Sequence, residues 1–373
     1  MLQFAIPCLL GLESLVGDEV KKLGLADIRV ENGRVLCRGE ERDLARLNIN
    51  LRCGARVLLV LASFRATDFE TLFQGTRAVR WEDWIPREGE FPVTGYSINS
   101  TLHSVPACQS IVKKAVVERL GEAYGLQTLP ETGKRYQIRF SIMKDEVMLC
   151  LDASGEGLYK RGYRAVGVAA PLKETLAAAM VKLSHYNGRD PFCDPFCGSG
   201  TIAIEAALIA RNRAPGLNRS FAAQHWAMVD KRIWLDAADE AMDNEFHDKT
   251  YEIWGGDIDP RAVEIARHNA ELAEVDDTVR FEVDDATRFH WGGQYGRVVT
   301  NPPYGERLLE QKEAEELYRA FGRAIDKLPE TWRVYVLSSH TEFERCFGRI
   351  ADKKRKLYNG MLKCDLFMYG KRL

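Results

Sequence analysis

Several things are scarce in this sequence, and each scarcity removes a class of protein. No stretch approaches the ~20 consecutive apolar residues that cross a bilayer. Residues 1–12 are apolar, but no basic residue precedes the apolar part and Glu13 follows it, so a secretory signal is not expected. The nine cysteines never form a Cys-x-x-Cys pair, and no histidine stands at ligand spacing from Cys193 and Cys197. A metal site is therefore not expected, and the thiols read as reduced, in a cytoplasmic protein. Positive charge is not in excess: 52 Lys and Arg against 54 Asp and Glu give a net charge of −2 and a pI near 6.4. Any contact with nucleic acid must then come from a local basic patch, not from the sum. Internal repeats and low-complexity tracts are also missing. What remains is ordinary globular material, 46% hydrophobic and 28% charged, in 373 residues, which suits two or three domains.

Two stretches carry chemistry. Asn301-Pro302-Pro303-Tyr304 follows a short apolar strand at residues 297–300. Its two prolines remove two N–H donors and fix two φ angles, so the loop is rigid and presents oxygens. An amide oxygen, a backbone carbonyl and an aromatic plane suit a flat ring bearing an –NH2 group. By itself the tetrapeptide also fits a plain proline-rich turn. The second stretch, Asp194-Pro195-Phe196-Cys197-Gly198-Ser199-Gly200-Thr201, ends a strand and opens an apolar helix over 202–210. Strand, Gly-x-Gly turn and helix form a nucleotide-type pocket. Asp194 stands where a pyrophosphate would lie and repels it, but attracts an ammonium or sulfonium. That charge points to S-adenosylmethionine instead of a dinucleotide. The next acidic candidate, Asp257, comes far later than the ~20-residue spacing of a minimal dinucleotide fold. Residues 211–250, with Arg213, Arg219 and Trp226, read as a helical insertion between the first helix and second strand.

Together these stretches resemble the cofactor and target-amine motifs of class I S-adenosylmethionine methyltransferases. More narrowly, the chain resembles the THUMP-domain RNA guanine-N2 methyltransferases of the UPF0020 type, among them the bacterial enzyme acting on large-subunit ribosomal RNA. The likeness runs over nearly the whole chain and includes residues 158–164, 171–176, 213–217 and 301–307. It implies an α/β fold, a Rossmann-like sheet with a reversed last strand, behind an α+β ferredoxin-like and THUMP region. The expected divisions are 1–65, ferredoxin-like, 66–155, THUMP-like, and 156–373, methyltransferase with the insertion at 211–250.

Carried onto these positions, the resemblance implies a cofactor site of Asp194, Pro195, Phe196, Gly198, Gly200, Thr201, Asp257, Ile258, Asp285, Ala286 and Asn301. Asp257 would accept both ribose hydroxyls, leaving Asp259 to cap the next helix ahead of Pro260. Asp285 would accept from the adenine amino group beside the Ala286 backbone. Asn301, Pro302, Pro303 and Tyr304 would grip the target. The implied partner is RNA, ribosomal ahead of transfer RNA, with no membrane and no metal; oligomeric state is left open. Lys160, Arg161 and Arg164, interleaved with Tyr159 and Tyr163, are candidate RNA contacts, though a linker between domains would look the same. Lys113 and Lys114, with Arg77, Arg80 and Arg119, are further candidates, though a solvated helix face is the favoured reading of each. Asn32-Gly33 and Asn359-Gly360 mark hairpins, and the basic run Lys353-Lys354-Arg355-Lys356 reads as a guarded strand edge. The same Asn-Pro-Pro-Tyr also serves adenine-N6 methylation of nucleic acid and glutamine-N5 methylation of protein, since all three targets are planar amines.

Overall fold

The computed structural model describes residues 1–164, 172–305 and 308–370. Pro171, Glu306 and Arg307, which belong to motifs quoted above, lie outside the described residues. The chain divides into two compact units: Met1–Cys8, Gly17–Leu158 and Ser220–Glu240 form one, and Leu9–Val16, Tyr159–Arg219 and Ala241–Leu373 form the other.

The first unit is built in the order β1 (Leu2–Pro7), α1 (Glu13–Lys22), β2 (Ala26–Glu31), β3 (Arg34–Gly39), α2 (Glu41–Asn50), β4 (Leu58–Arg65), α3 (Phe69–Arg77), β5 (Val93–Ile98), α4 (Val105–Tyr124), β6 (Ile138–Met143) and β7 (Glu146–Asp152). Its strands form one sheet ordered β2-β3-β1-β4-β7-β6-β5, antiparallel except for β5 on β6. β4 is the join: its first residues pair with β1 and its whole length with β7. The ferredoxin-like and THUMP-like stretches therefore share a continuous sheet. Asp152 closes the last strand, fully buried between the guanidinium groups of Arg56 (2.7 Å) and Arg139 (2.6 Å).

The second unit continues with α5 (Glu174–Leu183), β8 (Phe192–Asp194), α6 (Thr201–Ala210), α7 (Arg232–Asp243), β9 (Ile253–Asp257), α8 (Pro260–Leu272), β10 (Val279–Val283), β11 (Arg297–Thr300), α9 (Leu308–Ile325), β12 (Arg333–Ser338), α10 (Phe343–Phe347), β13 (Lys353–Asn359) and β14 (Leu362–Tyr369). The sheet order is β10-β9-β8-β11-β12-β14-β13. Five strands are parallel, and β14 runs against both β12 and β13, so the expected reversed strand pair is present. The chain fills one side of β8 with β9 and β10, then crosses to the other with β11. That reversal opens a crevice at the carboxyl ends of β8 and β11, where α/β sheets bind ligands.

The region 211–250 is less helical than its composition predicts. It contains one 3-10 turn, Ala222–His225, and α7. Its Ser220–Glu240 part joins the first unit, where Trp226 stacks on Tyr136 at 5.7 Å and the Arg46 guanidinium grips Glu240 through two hydrogen bonds of 2.8 and 2.9 Å. Aromatic burial decides its place, which polar composition hides.

Helix α6 is apolar on every side and nearly all buried, as the inner helix of such a sheet must be. Its one charge, Glu205, receives hydrogen bonds from Arg161 Nε (3.3 Å) and the Tyr163 hydroxyl (3.2 Å). Arg164 donates to Thr201 Oγ1 (2.7 Å) and the Leu172 carbonyl, and lies 3.5 Å from Glu174, whose carboxyl burial pushes up. Arg161, 3% exposed, and Arg164 are thus anchors of this helix, not RNA contacts. Each buried carboxylate in a helix needs a cation, and the basic loop supplies it. Glu205→Leu should cost about 3–5 kcal/mol in urea unfolding of the full chain, because it takes the carboxylate away from a buried guanidinium. Adding Arg161→Met should restore most of the loss; a double variant no better than the single would refute the pairing.

Candidate functional site

The crevice between β8 and β11 gathers the two motifs. Cys193 pairs with Val298 across the two strands, which brings Asp194 beside Thr300 and Asn301. Asp194 is buried, and its Oδ1 accepts from Thr300 Oγ1 at 2.6 Å and from the Phe196 N–H at 3.3 Å. Its Oδ2 is equally buried and has no partner among the described residues. Burial pushes this carboxyl up to about 7 in spite of those two donors, with Asp257 adding to the push.

The turn after β8 folds as its glycines require. Gly198 and Gly200 have φ of +50° and +83°. A Cβ on Gly198 would meet open space, whereas one on Gly200 would strike Phe281 at 2.8 Å and Ala266 at 2.9 Å. Gly198 therefore leaves its backbone open to a ligand, and Gly200 lets the turn pack on the sheet. Pro195 is buried, and Phe196 stands edge-on to Phe321 at 5.0 Å. Asp257 at the end of β9 accepts from Gly198 N (2.9 Å) through one oxygen and Asp259 N (3.0 Å) through the other. Asp259 caps α8 by accepting from Arg261 N, as its place before Pro260 predicts. Ile258 is 72% exposed, an apolar side chain held out at the rim of the crevice. Asp285 opens a 3-10 turn, Ala286–Arg288, and its carboxyl is held low by the Thr287 hydroxyl and N–H. Ala286 is buried against Trp254 and Phe289.

The Asn301 loop is held at three points. Tyr304 donates its hydroxyl to Asn301 Oδ1 at 2.5 Å and receives Cys364 Sγ at 3.8 Å. Tyr318, fully buried on α9, donates to the Pro303 carbonyl at 2.6 Å. Pro302 is buried, and among the described residues no donor reaches its carbonyl. Thr300, Tyr318 and Cys364 are absent from the sequence reading; only Thr300, a hydroxyl in an otherwise apolar strand end, left a local signal. Of the basic candidates, Lys160 and Lys114 are exposed, the latter 3.9 Å from Glu118. Lys113 is committed to Glu131 (2.7 Å), the Phe91 carbonyl and the Phe91 ring. Arg77, Arg80 and Arg119 each pair with a neighbouring carboxylate.

A seven-stranded sheet of this order, with a carboxylate at the glycine turn and an oxygen-bearing loop beside it, defines an α/β methyltransferase. The family model "RMKL-like, methyltransferase domain" matches residues 161–367, "RlmL ferredoxin-like domain" matches 3–58 and "THUMP domain" matches 66–152. The chain belongs to the RMKL-like methyltransferase family. It is 45% identical over 366 residues to the Bacillus subtilis (strain 168) protein "Putative RNA methyltransferase YpsC", covering 98% of this chain and 94% of that one. It superimposes at TM-score 0.94 and 47% identity on a Listeria monocytogenes str. 4b F2365 structure named as a predicted N6-adenine-specific DNA methylase, covering 99% of this chain and 96% of that one. The structure of SMU.472 complexed with SAH matches at TM-score 0.91 and 42% identity, covering 100% and 99%.

The buried carboxyl makes a prediction for the protein without ligand. Its folded pKa of about 7 lies above the ordinary 3.8, so its stabilising contribution is present below about pH 4 and is lost as pH rises through 7. Asp194→Asn should therefore be more stable than the parent at about pH 8, by up to roughly 4 kcal/mol, and should match it near about pH 4. Parallel urea-unfolding series across pH measure this; a constant difference would reject a buried titrating carboxyl.

Proposed function

We propose that this chain transfers a methyl group from S-adenosylmethionine to the exocyclic N2 of a guanosine in RNA, in 23S ribosomal RNA ahead of transfer RNA. One observation carries the reading: the unpartnered Asp194 oxygen and the Asn301 and Pro302 oxygens stand at the carboxyl ends of adjacent strands. The THUMP match and the RNA methyltransferase name of the Bacillus relative support RNA. The motif resemblance supports guanine N2. Residues 1–65 and 66–155 would then capture RNA for the transfer domain at 156–373.

The residues fit the cofactor. A buried carboxylate oxygen with no donor suits an ammonium or sulfonium and repels a pyrophosphate. Asp257 would accept the ribose hydroxyls through its remaining lone pairs, Ile258 would offer an apolar face to the adenine, and Asp285 with the Ala286 backbone would read its edge. When bound, S-adenosylmethionine supplies an electrophilic methyl group on sulfur.

The rest falls to the chain. The lone pair of a guanine N2 is delocalised into its ring and is a poor nucleophile. Asn301 Oδ1, through its second lone pair, and the Pro302 carbonyl would accept the two N–H bonds and stabilise positive charge as it develops on nitrogen. Holding that nitrogen in line with the methyl supplies much of the remaining rate. No strong base is required, since the proton leaves afterwards to solvent. Stacking on Tyr304 would contribute ~1–3 kcal/mol. A guanosine inside a helix must first be flipped out.

Asn301→Ala should lower methyl transfer to 23S ribosomal RNA from a deletion strain by about a hundredfold or more. Its affinity for S-adenosylhomocysteine, measured by calorimetry, should stay unchanged. Retained transfer would remove Asn301 from the mechanism. Nucleoside mass spectrometry should find N2-methylguanosine; N6-methyladenosine would hand the site to the activity named for the Listeria neighbour. Affinity for S-adenosylhomocysteine should also rise with pH by up to ~tenfold per unit below about pH 7 and then level off, because binding the ammonium expels the Asp194 proton. Asp194→Asn should bind weakly with no such slope.

A further inference from the structure

The most basic run of the chain lies on β13, and the reaction does not use it. β13 is the edge of its sheet, with β14 as its only strand neighbour. Its far end and its near end touch different things. At the near end, Cys364 on the partner strand, two residues from the turn-side end of β14, reaches the Tyr304 hydroxyl at 3.8 Å, so the hairpin borders the Asn301 loop. Met361 at its tip is 99% exposed. At the other end, Lys353 joins Arg333 and His185 around a cavity of about 420 Å³, whose one carboxylate is Asp352. Arg333 starts β12, so this cavity lies at the end of the sheet away from the Asp194 crevice.

Two of the four cations are already engaged. Lys354 pairs with Glu344 at 2.8 Å, and Arg355 donates to the Gly11 carbonyl. Lys353 and Lys356 are exposed and lack an ion pair among the described residues, although Asp365 lies opposite Lys356 in the register. A charged edge guards against strand pairing, but that alone explains neither the cationic cavity nor the exposed tip beside the target loop. A polyanion running along the edge explains all three.

We infer that β13 is a docking track for RNA backbone, leading from the Asn301 lip to the cavity at Arg333 and His185. This rests on the RNA reading above and deepens it. From Asn359 to Lys353 the strand spans about 20 Å, enough for several successive phosphates of one strand. Lys356 and Lys353 hold phosphates along the way, the Arg333 cavity receives the last, and Met361 meets the nucleotide next to the flipped guanosine. An apolar wedge there fills the space a flipped base leaves.

The test is the pair Lys353→Glu with Lys356→Glu, against Lys249→Glu with Lys327→Glu, two exposed lysines elsewhere in the same unit. The probes are 23S ribosomal RNA from a deletion strain and S-adenosylhomocysteine alone. The β13 pair should raise KM for the RNA by about tenfold or more and flatten the log–log salt dependence of binding by roughly 1.5–2, the loss of two phosphate contacts. Its thermal midpoint and S-adenosylhomocysteine affinity should match the parent, and the control pair should behave as the parent does. An unchanged KM and salt slope, or an equal loss in the control pair, would overturn the track while leaving the reaction intact. Weakened binding of an acidic protein with RNA binding untouched would overturn it too. If the parent itself neither binds nor methylates the RNA, the proposed function falls and the track with it.

Discussion

The hydrogen bond from Thr300 to Asp194 holds the two working strands of this protein in one register. It joins the residue before the Asn301 loop to the carboxylate at the glycine turn, across the place where the sheet turns from β8 to β11. A carboxylate buried so deeply is expensive, and a single hydroxyl and one N–H do not offset its desolvation, as its displaced titration makes plain. The second oxygen adds to that cost, since it has no partner among the described residues. In the proposed function it is the atom a cationic ligand would engage, so stability would be given up where binding needs it.

The local parts of this architecture are legible in the sequence. Asn32-Gly33 and Asn359-Gly360 specify their hairpins, and Asp259-Pro260 specifies a helix start. Motif order places Asp194 and Asn301 at the ends of strands, which the sheet confirms. Parts that depend on contacts far along the chain are not legible. Nothing near β4 reveals that it pairs with both β1 and β7 and so fuses two regions into one sheet. Glu205 and Arg161 stand 44 residues apart, and an arginine beside tyrosines looks the same whether it meets a phosphate or a buried carboxylate.

Tyr318 and Tyr304 show why distant parts of the unit matter to a four-residue loop. Two prolines remove two N–H groups of the loop, so its backbone there offers acceptors. Tyr318 then takes the Pro303 carbonyl, and Tyr304 takes one lone pair of the Asn301 amide oxygen. Among the described residues, one lone pair on Asn301 Oδ1 and the carbonyl of Pro302 stay open. Two fixed acceptors match a group with two hydrogens to give. A hydroxyl or a ring N–H can fill only one of them, leaving the other oxygen desolvated and unpaired at a cost of about 1–3 kcal/mol. A primary amine fills both. The two buried tyrosine hydroxyls thus act by subtraction: they use up the acceptors that would make the loop indiscriminate, and in the proposed reaction the choice of a primary amine follows from what they leave.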